Sequence, residues 1–474
     1  MAALLAAVIG VFRLADYLDN SAEVWLTTGD EENLLDEQAE IEFQPDEETP
    51  EAPLTVEVDP DTTYQEIEGF GMAVTGSSAY LINNVLTPDQ KDDLLDDIFT
   101  DDGINMNFIR HSIGASDYSV DENGDPLSYS YNDVEEGGTD YDLENFSIEP
   151  DREVWSLLGE IQDKNEDIFI FGSPWSAPPW MKEEYTFNGS FLDYTDPAIY
   201  ETYADYFVKY IQAYEEEGVE VDAVAVQNEP EYTSEEYPTM SMNGIEQRDF
   251  IREHLGPAFE EENIETEIIA FDHNWDTGLD YANAVLGDEQ ANDYTDGMAF
   301  HCYAGEPEAM TDVHEAYPNK NIYVTECSGG SWNTDFGENL SWNMTNMLIG
   351  GTRNYAESVQ FWNLALDPSD GPQNGGCPDC RGVVTIDPDT GDITENVEYY
   401  TLGHASKFVE PGAVRIDSTH YADEIETVAF ENPDGSHVLI AANLSAGEQE
   451  FKVQEDDESF MYSLPAESAV TFTW

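Results

Sequence analysis

The stretch DPAIYETYADYFVKYIQAYEEEGVEVDAVAVQNEP, residues 196–230, decides the fold. It opens as a helix and closes as a buried strand. Asp196 stands at the N-cap and Pro197 at the first helical position, where a backbone N–H needs no partner. Tyr200, Tyr203, Phe207, Tyr210, Ile211 and Tyr214 then recur at helical spacing, one apolar face of a helix over Pro197–Glu217 that Gly218 closes. Asp222–Gln227 is an apolar run too short for a helix, so it reads as a strand buried on both faces.

The same alternation runs outward in both directions. Apolar runs stand at Gly69–Val74, Asn107–Ile113, Ile168–Pro174, Asp222–Gln227, Glu267–Phe271, Gly297–Tyr303, Ile322–Thr325 and Val359–Leu364, with room for helices between them. Eight strand–helix units predict a (β/α)8 barrel over residues 69–409. After Pro411 the pattern changes to short strands: Val414–Ile416, Thr427–Phe430, His437–Asn443, Glu450–Val453, Phe460–Leu464 and Ala469–Thr473, separated by turns such as Asn432-Pro-Asp-Gly435. This predicts a β-sandwich over residues 410–474. In residues 1–68, Glu23–Thr27, Leu54–Val58 and Thr62–Ile67 read as strands that join it, and the acidic residues 28–53 read as a solvated linker. The apolar stretch Met1–Phe12 is too short to span a bilayer and lacks the basic start and cleavage site of a signal peptide, so it reads as a helical lead-in or the remnant of a misplaced start.

Composition limits the partners. The 474 residues hold 15 Lys and Arg against 103 Asp and Glu, a net charge of −88. Nucleic acid is excluded as a direct partner, and insertion into or binding to an anionic membrane is disfavoured. With 40% hydrophobic and 12% aromatic residues the chain nevertheless folds. The carboxylates are spread along its whole length. Their self-repulsion opposes compaction in dilute buffer and is screened at molar salt, where the Debye length is about 3 Å. The expected setting is a halophilic organism. Of the four cysteines, Cys302 and Cys327 are far apart in sequence. Cys377 and Cys380 have CxxC spacing without a second ligand pair for zinc, which leaves a local disulfide or two free thiols.

Reactive groups in such a barrel sit where strands end. The fourth run ends Gln227-Asn228-Glu229-Pro230 and the seventh ends Thr325-Glu326-Cys327, so two strands deliver a Glu to one face. A paired carboxylic acid and carboxylate across a barrel mouth suit glycoside cleavage, one protonating the leaving oxygen and the other attacking the anomeric carbon. The strand-end neighbours suit a sugar, whose apolar faces stack on aromatic rings while amides and carboxylates bind hydroxyls. They are Asp117, Trp175, Trp180, the run Asp272-His-Asn-Trp275, His301, Tyr303, Trp362 and Asn363. Arg110, one of few basic residues, would hold the nucleophile ionised. The acid must start protonated, with its pKa expected above the ordinary value through burial and the partner's charge. No metal or organic cofactor is expected.

Seven segments then carry a specific resemblance. They are Gln65–Gly71 with Thr75–Ala79, Arg110–Ser119, Trp175–Lys182, Gln227–Pro230, His301–Tyr303, Thr325-Glu326 and Phe361–Asp367. In this order they resemble glycoside hydrolase family 30, the glucosylceramidase-like retaining β-glycosidases. The resemblance implies a barrel with a β-sandwich built from both chain ends. It implies Glu229 as acid/base with Asn228 on the sugar beside it, Glu326 as nucleophile, and Asp117, Trp175 and Trp362 around the first sugar. His301, Tyr303 and Trp275 are expected to line the same site. The segment Gly371–Gly382 resembles the branch that holds endo-β-1,6-glucanases, and Cys302 stands where the family commonly has a bulky residue. A β-glucan or β-glucoside is the expected substrate; glucosylceramide, a β-xyloside, or a carbohydrate-binding barrel without catalysis are the alternatives. A polymer-degrading glycosidase is expected outside the cell, otherwise in the cytoplasm.

Overall fold

A computed structural model describes residues 21–50, 52–422 and 424–474. The apolar stretch Met1–Phe12 lies outside them. Eight parallel strands close a barrel: β1 (Gly69–Ala73), β2 (Phe108–Ser112), β3 (Phe169–Ser173), β4 (Ala223–Ala225), β5 (Glu267–Asn274), β6 (Gly297–His301), β7 (Asn321–Glu326) and β8 (Ser358–Phe361), with β8 pairing back onto β1. Each coincides with one of the eight apolar runs. The helix after β3 spans Pro197–Glu216, and the Asp196 side chain accepts from the N–H of Ala198.

The barrel interior is filled, large against small. Phe108, Phe171 and Tyr323 pack on Ala223, Ala225, Ile269 and Ala299. At Gly71 the backbone of β2 comes so close that a Cβ would lie 1.8 Å from the Phe108 carbonyl oxygen, so only glycine fits there. Outside, Arg152–Lys164 turns one stripe inward, made of Val154, Leu157, Leu158 and Ile161, while Val397–Ser406, next to the second domain, is buried all round.

The lower rim carries a ring of carboxyls on or just before strand starts: Glu68, Asp222, Glu267, Asp296 and Glu357. Burial, then the charges of Glu68 and Glu267, push Glu357 up to about 8. Burial and Asp296 push Glu267 up to about 7, and burial pushes Asp222 up to about 6. The folded state therefore binds more protons than the unfolded chain between the ordinary carboxylate range and about pH 8. Stability falls as pH rises through that window, and the penalty is complete above it. We expect the melting temperature to drop from pH 5 to pH 8.5. Glu357→Gln should raise it by roughly a few degrees at pH 8.5 and leave it unchanged at pH 5. Equal shifts at both pH values would refute this assignment.

The second domain draws on both ends of the chain. Strand Ser21–Thr28 pairs with the last strand, Ser468–Thr473, and strand Leu54–Ile67 lies between Ala413–Ser418 and Gln449–Glu455 in the same eleven-stranded sheet. All six strands expected after Pro411 are present. Two expectations need correction. Leu54–Val58 and Thr62–Ile67 form one continuous strand, because Asp59-Pro-Asp61 is absorbed as register shifts against Ala413–Ser418 rather than as a turn. Residues 28–50 are solvated but pinned: short strands at Asp36–Glu37, Ile41–Glu42 and Gln44–Pro45 pair with the sandwich. The domains are tied by buried polar contacts. His404, at the end of a barrel helix, reaches Thr27 and Thr471, each at 2.9 Å. Burial holds it near a pKa of about 3, so it is neutral.

Candidate active site

The upper rim gathers most of the candidate residues around one cation. Arg110, on β2, is fully buried. Its Nη1 donates to Glu326 Oε2 at 2.6 Å. Its Nη2 donates to Asn228 Oδ1 and to Asp272 Oδ2, both at 2.7 Å. A planar guanidinium faces these three acceptors with a rigid fork of donors, where the tetrahedral donors of a lysine ammonium point differently. Above it lie Trp175 and Trp362, stacked on one another at 4.9 Å, with the guanidinium carbon 4.8 Å and 5.5 Å from their rings.

Asp272, at the end of β5, organises the rest. Besides Arg110, it accepts from Ser173, Thr325 and His301. Burial alone would raise its pKa, but Arg110 and His301 outweigh burial and hold it far below the usual carboxylate range. Phe271, Asp272, Glu229 and Asn363 all have positive φ, between 44° and 76°, although none is glycine. Such strain concentrates where side chains are aimed for a task.

The two glutamates face one imidazole. His301 Nδ1 lies 3.2 Å from Glu229 Oε1, and its Nε2 lies 3.0 Å from Asp272 and 3.9 Å from Glu326 Oε2. Tyr303 donates its hydroxyl to Glu326 Oε1 at 2.9 Å. Burial opposes a charge on His301, but Glu326 and Asp272 overcome it and lift the ring to about 9. Burial pushes Glu229 up as well, yet the imidazoles of His273, at 3.8 Å, and His301, at 3.2 Å, outweigh it and hold the carboxyl below its usual range. This overturns the expectation of a raised acid pKa.

Asp117 behaves in the opposite way. Burial and the charge of Glu326 push its carboxyl well above the usual range, and its Oδ1 has no hydrogen-bond partner. Trp175, Trp362, Tyr118, Leu366 and Cys380 form one buried cluster beside it, which Tyr237 flanks.

Trp275 does not join this group. It starts a short helix, Trp275–Thr277, and its ring packs into the main core. Trp180 is also structural, its Nε1 donating to Asn132. Asn363 accepts from Thr75, and Asn274 accepts from the N–H of Tyr303. Asp272 and His273 are more central than their place in the sequence suggests. Glu229, His273 and His301 bring ligand atoms within 4.8 Å of one another, a set that could hold a borderline metal ion such as zinc.

Both cysteine pairs are disulfides. Cys377 and Cys380 are bonded, their Cα atoms 5.5 Å apart, in the loop over the aromatic cluster, where Tyr118 donates to the Cys377 carbonyl. Cys302 and Cys327 are bonded across the ends of β6 and β7. This second pair is not readable from spacing, since only closure of the barrel brings the two strand ends together.

With this geometry in place, the chain can be compared with known proteins. Residues 67–409 match the glycosyl hydrolase family 30 TIM-barrel domain, and residues 412–472 match the family's β-sandwich domain. An endo-1,6-β-D-glucanase of Neurospora crassa is 36% identical over 404 residues, covering 82% of this chain and 81% of that protein. The lysosomal acid glucosylceramidase of Mus musculus is 30% identical over 448 residues, covering 89% and 83%. A solved endo-β1,6-glucanase superposes with a TM-score of 0.86 at 33% identity, covering 96% of this chain and 99% of its own. Sequence, fold and rim chemistry agree: the chain is a glycoside hydrolase and belongs to family 30.

Proposed function

We propose that the protein is a retaining β-glycosidase that cleaves β-linked glucose, and that its substrate is a β-1,6-glucan. The carrying observation is the pair Glu229 and Glu326 at the ends of β4 and β7, both facing the His301 imidazole beneath two stacked tryptophans.

Each side chain then has a task. Trp175 and Trp362 offer apolar faces to a glucosyl ring, and Asp117 and Asn228 bind hydroxyls. Glu326 attacks the anomeric carbon as the glycosidic bond breaks. Arg110 and Tyr303 hold its two oxygens and so fix its aim. The proton for the leaving oxygen passes from His301 over 3.2 Å to Glu229 and on to that oxygen, which leaves Glu229 as a carboxylate. In the second half, Glu229 takes a proton from water, and the hydroxyl releases the sugar with retained configuration. The polymer preference rests on the Cys377–Cys380 loop, its resemblance, and the solved and curated β-1,6-glucanases.

The test is product analysis with a β-1,6-glucan, a β-1,3-glucan, a β-xyloside and glucosylceramide in parallel. Oligosaccharides from the β-1,6-glucan alone are expected. Free glucose from the glycolipid, with both glucans intact, would replace the polymer reading by a glucosylceramidase.

Two further readings rest on the whole chain. A net charge of −88 supports a protein adapted to high salt. Activity and melting temperature should rise from dilute buffer to molar KCl, and equal values in both would overturn it. Two disulfides support an extracellular setting, since they persist in oxidising surroundings. Activity confined to washed cells, with none in the culture medium, would count against export.

A further inference from the structure

The end of β7 is poorly held by its sheet. On one side its ladder with β8 stops at Val324, opposite Val359. On the other side the register with β6 shifts between Phe300 and His301, so Thr325 is an extra residue on β7, and Glu326 falls opposite His301. Glu326 thus sits beyond regular pairing on one side and just past a bulge on the other. Two backbone bonds remain there. The N–H of Cys302 donates to the Glu326 carbonyl at 3.2 Å, and the N–H of Trp362 donates to the Cys327 carbonyl at 2.7 Å.

The Cys302–Cys327 bond lies at this weak point. Its Cα atoms are 5.3 Å apart, and Cys327 is fully buried. Each half-cystine is the chain neighbour of residues that meet at the carboxylates. Cys327 follows Glu326. Cys302 stands between His301, which touches Glu229, and Tyr303, which holds Glu326 Oε1. One covalent link therefore fixes the spacing between the strand end that presents Glu326 and the strand end that presents its two partners.

We propose that the Cys302–Cys327 disulfide is a positioning element for the nucleophile, and that the enzyme slows when this bond is reduced. The proposal rests on Glu326 acting as described above. Reduction by a dithiol transfers two electrons and two protons: the S–S bond becomes two thiols, and the reagent becomes a cyclic disulfide. The two strand ends then lose their covalent link and keep only hydrogen bonds, among them those of Arg110, Tyr303 and Thr325, so Glu326 samples positions away from the anomeric carbon. Misplacement on the order of 1 Å lowers turnover by about 100-fold. Substrate affinity, carried by Trp175, Trp362 and Asp117, should change far less.

The test compares wild type with Cys302→Ala/Cys327→Ala, and wild type before and after dithiothreitol, with thiols counted by mass spectrometry. A fall in kcat of about 10- to 100-fold is expected, with KM within about threefold and recovery on reoxidation. A kcat within twofold of wild type, in a variant shown by circular dichroism to be folded, would overturn the proposal. If the double variant does not fold, Cys377→Ser/Cys380→Ser before and after dithiothreitol gives the same comparison, because Cys302–Cys327 is then the bond left to reduce. Amide hydrogen exchange over residues 321–328 and 301–303 provides a readout that needs no substrate. Breaking the bond should speed exchange there by roughly tenfold or more. Unchanged exchange would sink the proposal even if no tested glycoside is turned over. Absence of turnover in wild type would instead strike at the glycosidase reading.

Discussion

Glu326→Gln should abolish turnover while leaving the fold intact. The amide keeps the size of the carboxylate, and its oxygen can still accept from Arg110. What it loses is the nucleophilic oxygen, so no glycosyl-enzyme forms. A drop in kcat of about 10⁴-fold or more is expected, with little change in binding. Glu229→Gln should differ in kind. It removes the acid, so activity on β-glucosides with poor leaving groups should collapse. Aryl β-glucosides whose phenolate leaves unaided should retain part of their bond-breaking rate. Steady-state kinetics over a leaving-group series separates the two roles. Full activity in either variant would end the assignment.

The second large effect is expected in stability. Arg110 neutralises Asp272 and Glu326 inside the rim, where neither carboxylate has water as an alternative. Arg110→Met keeps much of the side-chain volume and removes the charge. Two buried carboxylates are then left facing one another, and Asn228 loses a donor. Breaking a buried pair in this way typically costs about 3–5 kcal/mol. We expect a clear drop in the guanidinium midpoint together with loss of activity. Arg110→Lys should recover part of the stability and little of the turnover, because one ammonium cannot serve three acceptors in a plane. An unchanged midpoint in Arg110→Met would show that the cluster is not held by this cation.

The residues most readable in the sequence were those governed by local rules. The β4 run and the helix before it were set by spacing, an N-cap and a closing glycine. Glu229 and Glu326 were visible because a charged residue directly after a buried strand is conspicuous. Contacts that only closure of the barrel creates were not readable. Asp272 looks like any other acidic residue in a chain with 103 of them. Its role depends on Ser173, Thr325, His301 and Arg110, which come from four other strands. The pKa of Glu229 failed for a related reason. Burial and a nearby carboxylate argue for a raised value, but His273 and His301 decide the sign. Trp275 misled because a strand-end position fixes where the backbone is, not which way the ring turns. Asp59-Pro-Asp61 carries a turn's residues, yet pairing resumes at Thr63 on the same neighbour that holds Asp59, so the strand continues through a bulge.

The pairing of strand Ser21–Thr28 with strand Ser468–Thr473 also sets the order of assembly during synthesis. Strand Ser21–Thr28 leaves the ribosome long before its partner. Throughout elongation the edge that will receive Ser468–Thr473 stays open, with Val24 and Leu26 unburied by their final neighbours. The barrel between them can form as a unit once β8 has emerged, since β8 closes onto β1. The sandwich cannot close until translation has passed Thr473, so a strand made late seals one made early.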